Sequence, residues 1–240
     1  MQHLSPLAEP SALATQRRRP RVGLIVPRSN TTCEGELQDF ATGRFSVHTA
    51  RMKTVAGSVT SDFQAATLQA LEEPVRDLEL CRTDIVALGC TTAAMGCDQD
   101  KLAAALRFAD ETQVVLISQS IVQALRDAGA RRVALFTPYT QQSNVSIAEF
   151  LGQAGFEVTA AVGLGLNTSP DRFALVSDLS QDYLRQEAFA MDIGDADCLL
   201  VSCTDLHTLD ILEDLSARKG VPAISSNKAF FDDIARLAFD

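Results

Sequence analysis

Short apolar runs alternate with longer amphipathic stretches along most of the chain. Ile85 to Leu88, Val114 to Ile117, Val133 to Phe136 and Cys198 to Val201 carry no charge, and each stops at Gly, Ser or Thr. Uninterrupted apolar runs of this length fit strands covered on both faces, as in the parallel sheets of α/β proteins. Arg21 to Val26 is a further apolar strand that stops at Pro27, and Phe45 to Met52 a half-polar one. Between the runs the period changes. Phe63, Ala66, Leu68, Leu71, Val75 and Leu78 form an approximate helical stripe, and Pro74 within it predicts a kink or a break. Helices are also expected from Cys33 to about Phe40, from Lys101 to Phe108, and from Ser118 to Ala128, the last ended by Gly129.

The plan then restarts. Arg132 to Pro138 echoes Arg21 to Pro27, with Pro138 following Pro27 by 111 residues. The stretch Asp197 to Asp205 echoes Asp84 to Thr92, with Cys203 following Cys90 by 113 residues. Val115 to Ser118 is echoed by Ala223 to Ser226, Ser225 following Ser118 by 107 residues. Three correspondences in one order with nearly constant offsets point to a duplicated unit. The expected fold is α/β, with two pseudo-symmetric flavodoxin-like lobes, each built on a parallel sheet, and a site in the cleft between them. Residues 21–119 with 225–240 form the first expected lobe and residues 120–224 the second. Residues 1–20, which include Arg17, Arg18 and Arg19, read as a loose solvated arm.

Composition narrows the partners. The chain has 240 residues, 46% of them hydrophobic, and a formal net charge of −10. That charge argues against nucleic acid and anionic membrane surfaces, which select a basic face. No apolar run approaches the roughly 20 residues of a membrane helix. Residues 1–20 lack the apolar core of a signal peptide, so a cytoplasmic protein is expected. The six cysteines lie in or near predicted strands, which makes a disulfide framework a poor reading. Zinc is equally poor, because the spacings Cys90 to Cys97 and Cys198 to Cys203 are not those of zinc knuckles. No metal and no cofactor is expected.

Candidate chemistry rests on Cys90 and Cys203. Both end a buried strand, and ligands of open α/β sheets collect at the carboxyl ends of strands. Two thiols facing one cleft can remove a proton from one face of a substrate and return one to the other, or one can add to an activated double bond while the other supplies the proton. A helix is expected after each Cys-Thr pair, where backbone N–H groups would stabilise a thiolate or a bound carboxylate.

The segment Val26-Pro27-Arg28-Ser29-Asn30-Thr31-Thr32-Cys33-Glu34-Gly35-Glu36 resembles the opening motif of the maleate cis-trans isomerase family, within the aspartate/glutamate racemase superfamily that also holds arylmalonate decarboxylase and hydantoin racemase. Arg51-Met52-Lys53-Thr54-Val55, Gly89-Cys90 with Met95-Gly96, Thr137-Pro138-Tyr139 and Ser202-Cys203 resemble later segments of that family in the same order. The resemblance implies that Cys90 attacks the double bond of maleate, giving a succinyl thioether free to rotate, and that Cys203 transfers the proton. It implies substrate contacts from Asn30, Tyr139 and Asn167; Thr91 and Thr204, beside the thiols, complete the expected binding set. The implied activity is isomerisation of a small dicarboxylate.

Two departures keep alternatives open. Thr91 and Thr92 follow the first cysteine where maleate isomerases carry apolar residues, a pattern nearer to amino-acid racemases and the decarboxylase. Asp205 and His207 follow the second, where they could tune a thiol or bind an ammonium group. A two-cysteine racemase of aspartate, glutamate or a derivative is therefore the alternative enzyme, and a non-catalytic carboxylate-binding protein the alternative class. The expected partners are a small carboxylate and further copies of the chain, as a homodimer or higher homo-oligomer.

Overall fold

The computed structural model describes residues 18–55 and 61–239. Most of the expected N-terminal arm lies outside these residues; Arg18, near its end, is exposed but tethered. Its guanidinium binds the Asp84 carboxylate with both Nη atoms, at 2.6 and 2.7 Å, because the chain runs back past the start of the third strand on its way into the first.

The chain builds two four-stranded parallel sheets. The strands of the first are β1 (Arg21–Pro27), β2 (Ser46–Met52), β3 (Ile85–Leu88) and β4 (Gln113–Leu116), in the order β2-β1-β3-β4. Those of the second are β5 (Arg132–Thr137), β6 (Glu157–Gly163), β7 (Cys198–Val201) and β8 (Ala223–Ser225), in the order β6-β5-β7-β8. The central strands β1, β3, β5 and β7 are buried along almost their whole length, which accounts for their unbroken apolar sequences. Each fully buried Leu, Ile or Val contributes about 1.5–3 kcal/mol relative to exposure.

The duplication extends to single hydrogen bonds. Ile25 pairs with Leu88 in the first sheet as Phe136 pairs with Val201 in the second. One residue further, Gly89 N–H donates to Ile25 O at 2.8 Å and Ser202 N–H to Phe136 O at 2.9 Å. At the opposite end, Asp84 accepts from Arg21 N–H and Asp197 from Arg132 N–H. The thiols therefore leave equivalent positions of equivalent strands.

Among the described residues, two short 3-10 turns aside, there are ten α-helices. In chain order they are α1 (Thr32–Ala41), α2 (Ser61–Leu80), α3 (Thr91–Met95), α4 (Gln99–Leu106), α5 (Ile117–Asp127), α6 (Gln141–Gln153), α7 (Pro170–Phe173), α8 (Gln181–Ala190), α9 (Leu212–Lys219) and α10 (Ser226–Phe239). Helix α2 continues through Pro74, where a kink or break was expected. Leu71 and Leu78, buried on either side of the proline, hold both halves to the core. Helix α5 ends as expected before Gly129, which takes the left-handed conformation at φ 68°.

Helix α10 follows the second sheet but packs on the first lobe, against α1, β3, β4 and α5. Its Phe231 ring lies 5.7 Å from that of Phe40 on α1. No described helix is long and apolar enough to cross a membrane.

Candidate active site

Cys90 lies two residues beyond β3, in an extended conformation (φ −137°, ψ 104°) that makes it the N-cap of the short helix α3. It is half-buried. Burial pushes its thiol up from the ordinary range, opposed by the N–H groups of Ala93 and Thr92 and by the Thr92 hydroxyl, which lies 3.7 Å from the sulfur. Thr91, the next residue, buries its hydroxyl with no hydrogen-bond partner among the described residues.

Cys203 leaves β7 at the matching point but in a different setting. It is 2% exposed, and burial pushes its thiol up to about 12. The Tyr139 hydroxyl and the Asp205 N–H, 3.4 Å away, donate to its sulfur and oppose that rise. The helix expected directly after Cys203 is not there. The chain turns through Thr204 to Thr208 and enters α9 only at Leu212, because this segment crosses to the first lobe and bonds with it.

Tyr139 follows β5, buried and stacked on Phe173 at 6.2 Å between ring centroids. Burial holds its hydroxyl protonated, well above the ordinary phenol range, so it has a proton to donate to the neighbouring sulfur. A β-carbon on Gly163 would fall inside the Tyr139 carbonyl and against the Asn144 amide. Only glycine lets β6 run this close to the tyrosine loop.

Asn30 follows β1 and is 2% exposed. Its Oδ1 accepts from Cys33 N–H at 3.0 Å, and one amide proton goes to Thr204 Oγ1 at 2.9 Å. That leaves one amide proton free for a ligand. Arg51 secures the loop by donating to the Asn30 carbonyl at 2.7 Å while pairing with Glu34. Thr204 also donates to the Gly89 carbonyl at 3.2 Å, so one hydroxyl ties together the Asn30 loop, the Cys90 strand end and the Cys203 loop.

Asn167 stands behind the tyrosine. Its Oδ1 accepts from Thr140 N–H at 2.6 Å and its amide donates to Ser143 Oγ at 2.8 Å, which fastens the start of α6. Asp205 accepts from the N–H groups of Thr31 and Thr32 at 3.2 and 3.4 Å. His207 lies 3.5 Å from Glu36 Oε1 through Nδ1 and 3.3 Å from Thr32 Oγ1 through Nε2. Glu36 is held by Asn227 at 2.7 Å and by Thr208 N–H as well. No signal in the local sequence separates Glu36 and Asn227 from ordinary helix-start residues. Among the described residues no cluster of His, Cys, Asp or Glu is arranged to hold a metal ion.

The structure thus gathers Cys90, Cys203, Tyr139, Asn30 and Thr204 at the carboxyl ends of β1, β3, β5 and β7. Two like α/β lobes with one thiol each at corresponding strand ends mark the chain as a cysteine-dependent α/β enzyme. The chain belongs to the arylmalonate decarboxylase family, whose profile matches residues 22–240. It is 32% identical over 185 residues to arylmalonate decarboxylase from Bordetella bronchiseptica, an alignment covering 76% of each chain. Identity to maleate isomerase from Geobacillus stearothermophilus is 25% over 226 residues, 86% of each chain. The fold matches that of Nocardia farcinica maleate cis-trans isomerase, solved as a cysteine-to-serine variant with a covalently bound succinylcysteine intermediate, with a TM-score of 0.79, 23% identity, and coverage of 92% of this chain and 93% of that one.

Proposed function

We propose that the protein isomerises a small cis-dicarboxylate of the maleate type to its trans form, using Cys90 for addition and Cys203 for proton transfer, without a cofactor. The observation that carries this reading is the inequality of the two thiols. Cys90 is partly open and has backbone N–H groups turned toward its sulfur, whereas Cys203 is buried, keeps its proton at neutral pH and is oriented by Tyr139. Burial raises both thiols, and the more open Cys90, where N–H groups and a hydroxyl oppose the rise, is the better placed to lose its proton first, as the nucleophile must.

In the first step the Cys90 thiolate forms a C–S bond to one olefinic carbon, and the π electrons pass to the other carbon, delocalised into its carboxylate. Cys203 gives its proton to that carbon and becomes a thiolate. The resulting succinyl thioether turns about its central C–C single bond. Cys203 then takes back a proton, the C–S bond breaks, and the trans product leaves with Cys90 again a thiolate. The free amide proton of Asn30 and the unpartnered hydroxyl of Thr91 supply donors for the substrate carboxylates.

The amino-acid racemase reading is weaker, because the Asp205 carboxylate that would bind an ammonium group already accepts two backbone N–H groups. Decarboxylation of an arylmalonate is favoured by the 32% identity to that enzyme. It needs one acid thiol to protonate the carbanion and leaves Cys90 without a task. Mass spectrometry of the protein mixed with maleate tests the proposal, with Cys90→Ala and Cys203→Ala as controls. The expected result is a dicarboxylate adduct on Cys90, most abundant in Cys203→Ala. Solvent deuterium entering the α-carbon of aspartate or glutamate, or carbon dioxide released from phenylmalonate, with no adduct, would overturn it.

A further inference from the structure

The loop after Cys203 and helix α1 exchange carboxylates across the lobes. Thr31, the N-cap of α1, makes no side-chain capping bond. The cap comes from the other lobe, where Asp205 is 2% exposed and accepts the N–H groups of Thr31 and Thr32, while its own carbonyl accepts the Thr32 hydroxyl at 3.1 Å. In return, Glu36 on α1 accepts from Thr208 N–H and from Asn227, and its second oxygen faces His207. Asn227 also donates to the Thr204 carbonyl at 3.3 Å.

The two ends of this exchange are the two sides of the site. Asn30 immediately precedes Thr31, and Cys203 stands two residues before Asp205, whose N–H donates to the Cys203 sulfur. We propose that Asp205 is a positioning residue, a latch that caps α1 in trans and thereby holds the Cys203 thiol beneath Tyr139 and opposite Asn30. The proposal rests on the reading of Cys203 as a working thiol. It assigns Asp205 neither to the reacting atoms nor to an ammonium group. Asp205 makes its bonds with one carboxylate oxygen, so asparagine can make the same bonds and alanine cannot.

Alkylation by iodoacetamide without substrate, read separately at Cys203, Cys90 and Cys198 by peptide mass spectrometry, tests the latch. Cys198 lies fully buried in β7 of the same lobe and reports general loosening of that lobe. Asp205→Ala is expected to raise the Cys203 rate about tenfold with Cys198 unchanged, and Asp205→Asn to keep the wild-type rate. Should Asp205→Ala fail to fold, Glu36→Ala frees the same loop at Thr208 and is expected to act on Cys203 alone. Equal acceleration of Cys203 and Cys198 would mark a merely structural residue and overturn the proposal, and so would an unchanged Cys203 rate. Because the labelling needs no turnover, a protein inactive on maleate would sink the proposed reaction and leave this result standing.

Discussion

The Asn30 amide donates to the Thr204 hydroxyl at 2.9 Å, joining residues 174 positions apart in the chain across the two lobes. Thr204→Val keeps the shape of the side chain but leaves the Asn30 amide and the Gly89 carbonyl short of a partner in a buried place. A loss of about 2 kcal/mol in unfolding free energy is expected, read from urea midpoints, with Thr204→Ser restoring most of it. No shift for the valine variant would show that the tie is absent in solution.

The rate of isomerisation should rise with pH. Cys90 must be deprotonated to add, and burial raises its thiol, so the thiolate fraction keeps growing through and beyond the ordinary thiol range near about 8.5. Cys203, pushed up to about 12, keeps its proton over the same interval. A plot of kcat/KM against pH should climb about tenfold per unit at neutral pH and show no descending limb below about pH 10. A bell centred near neutrality would contradict these assignments.

Tyr139→Phe removes the donor that lowers the Cys203 thiol and orients it, making Cys203 a weaker acid. A fall in kcat of about a hundredfold is expected. The phenylalanine ring can keep the stacking on Phe173, so the melting temperature should hardly move. Wild-type kcat in this variant would remove the tyrosine from the chemistry.

Gly163→Ala should reach the same site indirectly. The new methyl group cannot share space with the Tyr139 carbonyl, so the loop must move, at a cost of about 1–3 kcal/mol. Both melting temperature and kcat are expected to fall, and full activity would mean that the Tyr139 loop gives way freely.

The strands and the paired cysteines were legible because a parallel strand covered on both faces writes itself as an unbroken apolar run, and β3 and β7 are each followed, one residue later, by the same Cys-Thr pair. Tyr139 and Asn30 were legible through motif resemblance, Tyr139 directly beyond a readable strand and Asn30 three residues past β1. Asp205, His207 and Asn167 stood out as polar residues in suggestive places, yet their partners could not be read. Asp205 meets Thr31 and Thr32 across the lobes, and the facing of two lobes leaves no periodicity in a sequence. The missing helix after Cys203 has the same origin, since the segment from Thr204 to Thr208 bonds with the other lobe.

The last helix has a consequence for how the protein comes into being. Phe230 and Phe231 of α10 pack against Gly89 and Phe40 in the lobe made first. Until α10 is made, residues 21–127 lack these aromatic contacts and Glu36 lacks its bond from Asn227. Completion of the lobe depends on contacts of very long sequence separation, a topology that slows folding and prolongs exposure to aggregation. The first lobe is therefore completed only once α10 has been made, so a chain cut short before Ser226 would carry both cysteines and still lack the helix that packs behind β3 and β4.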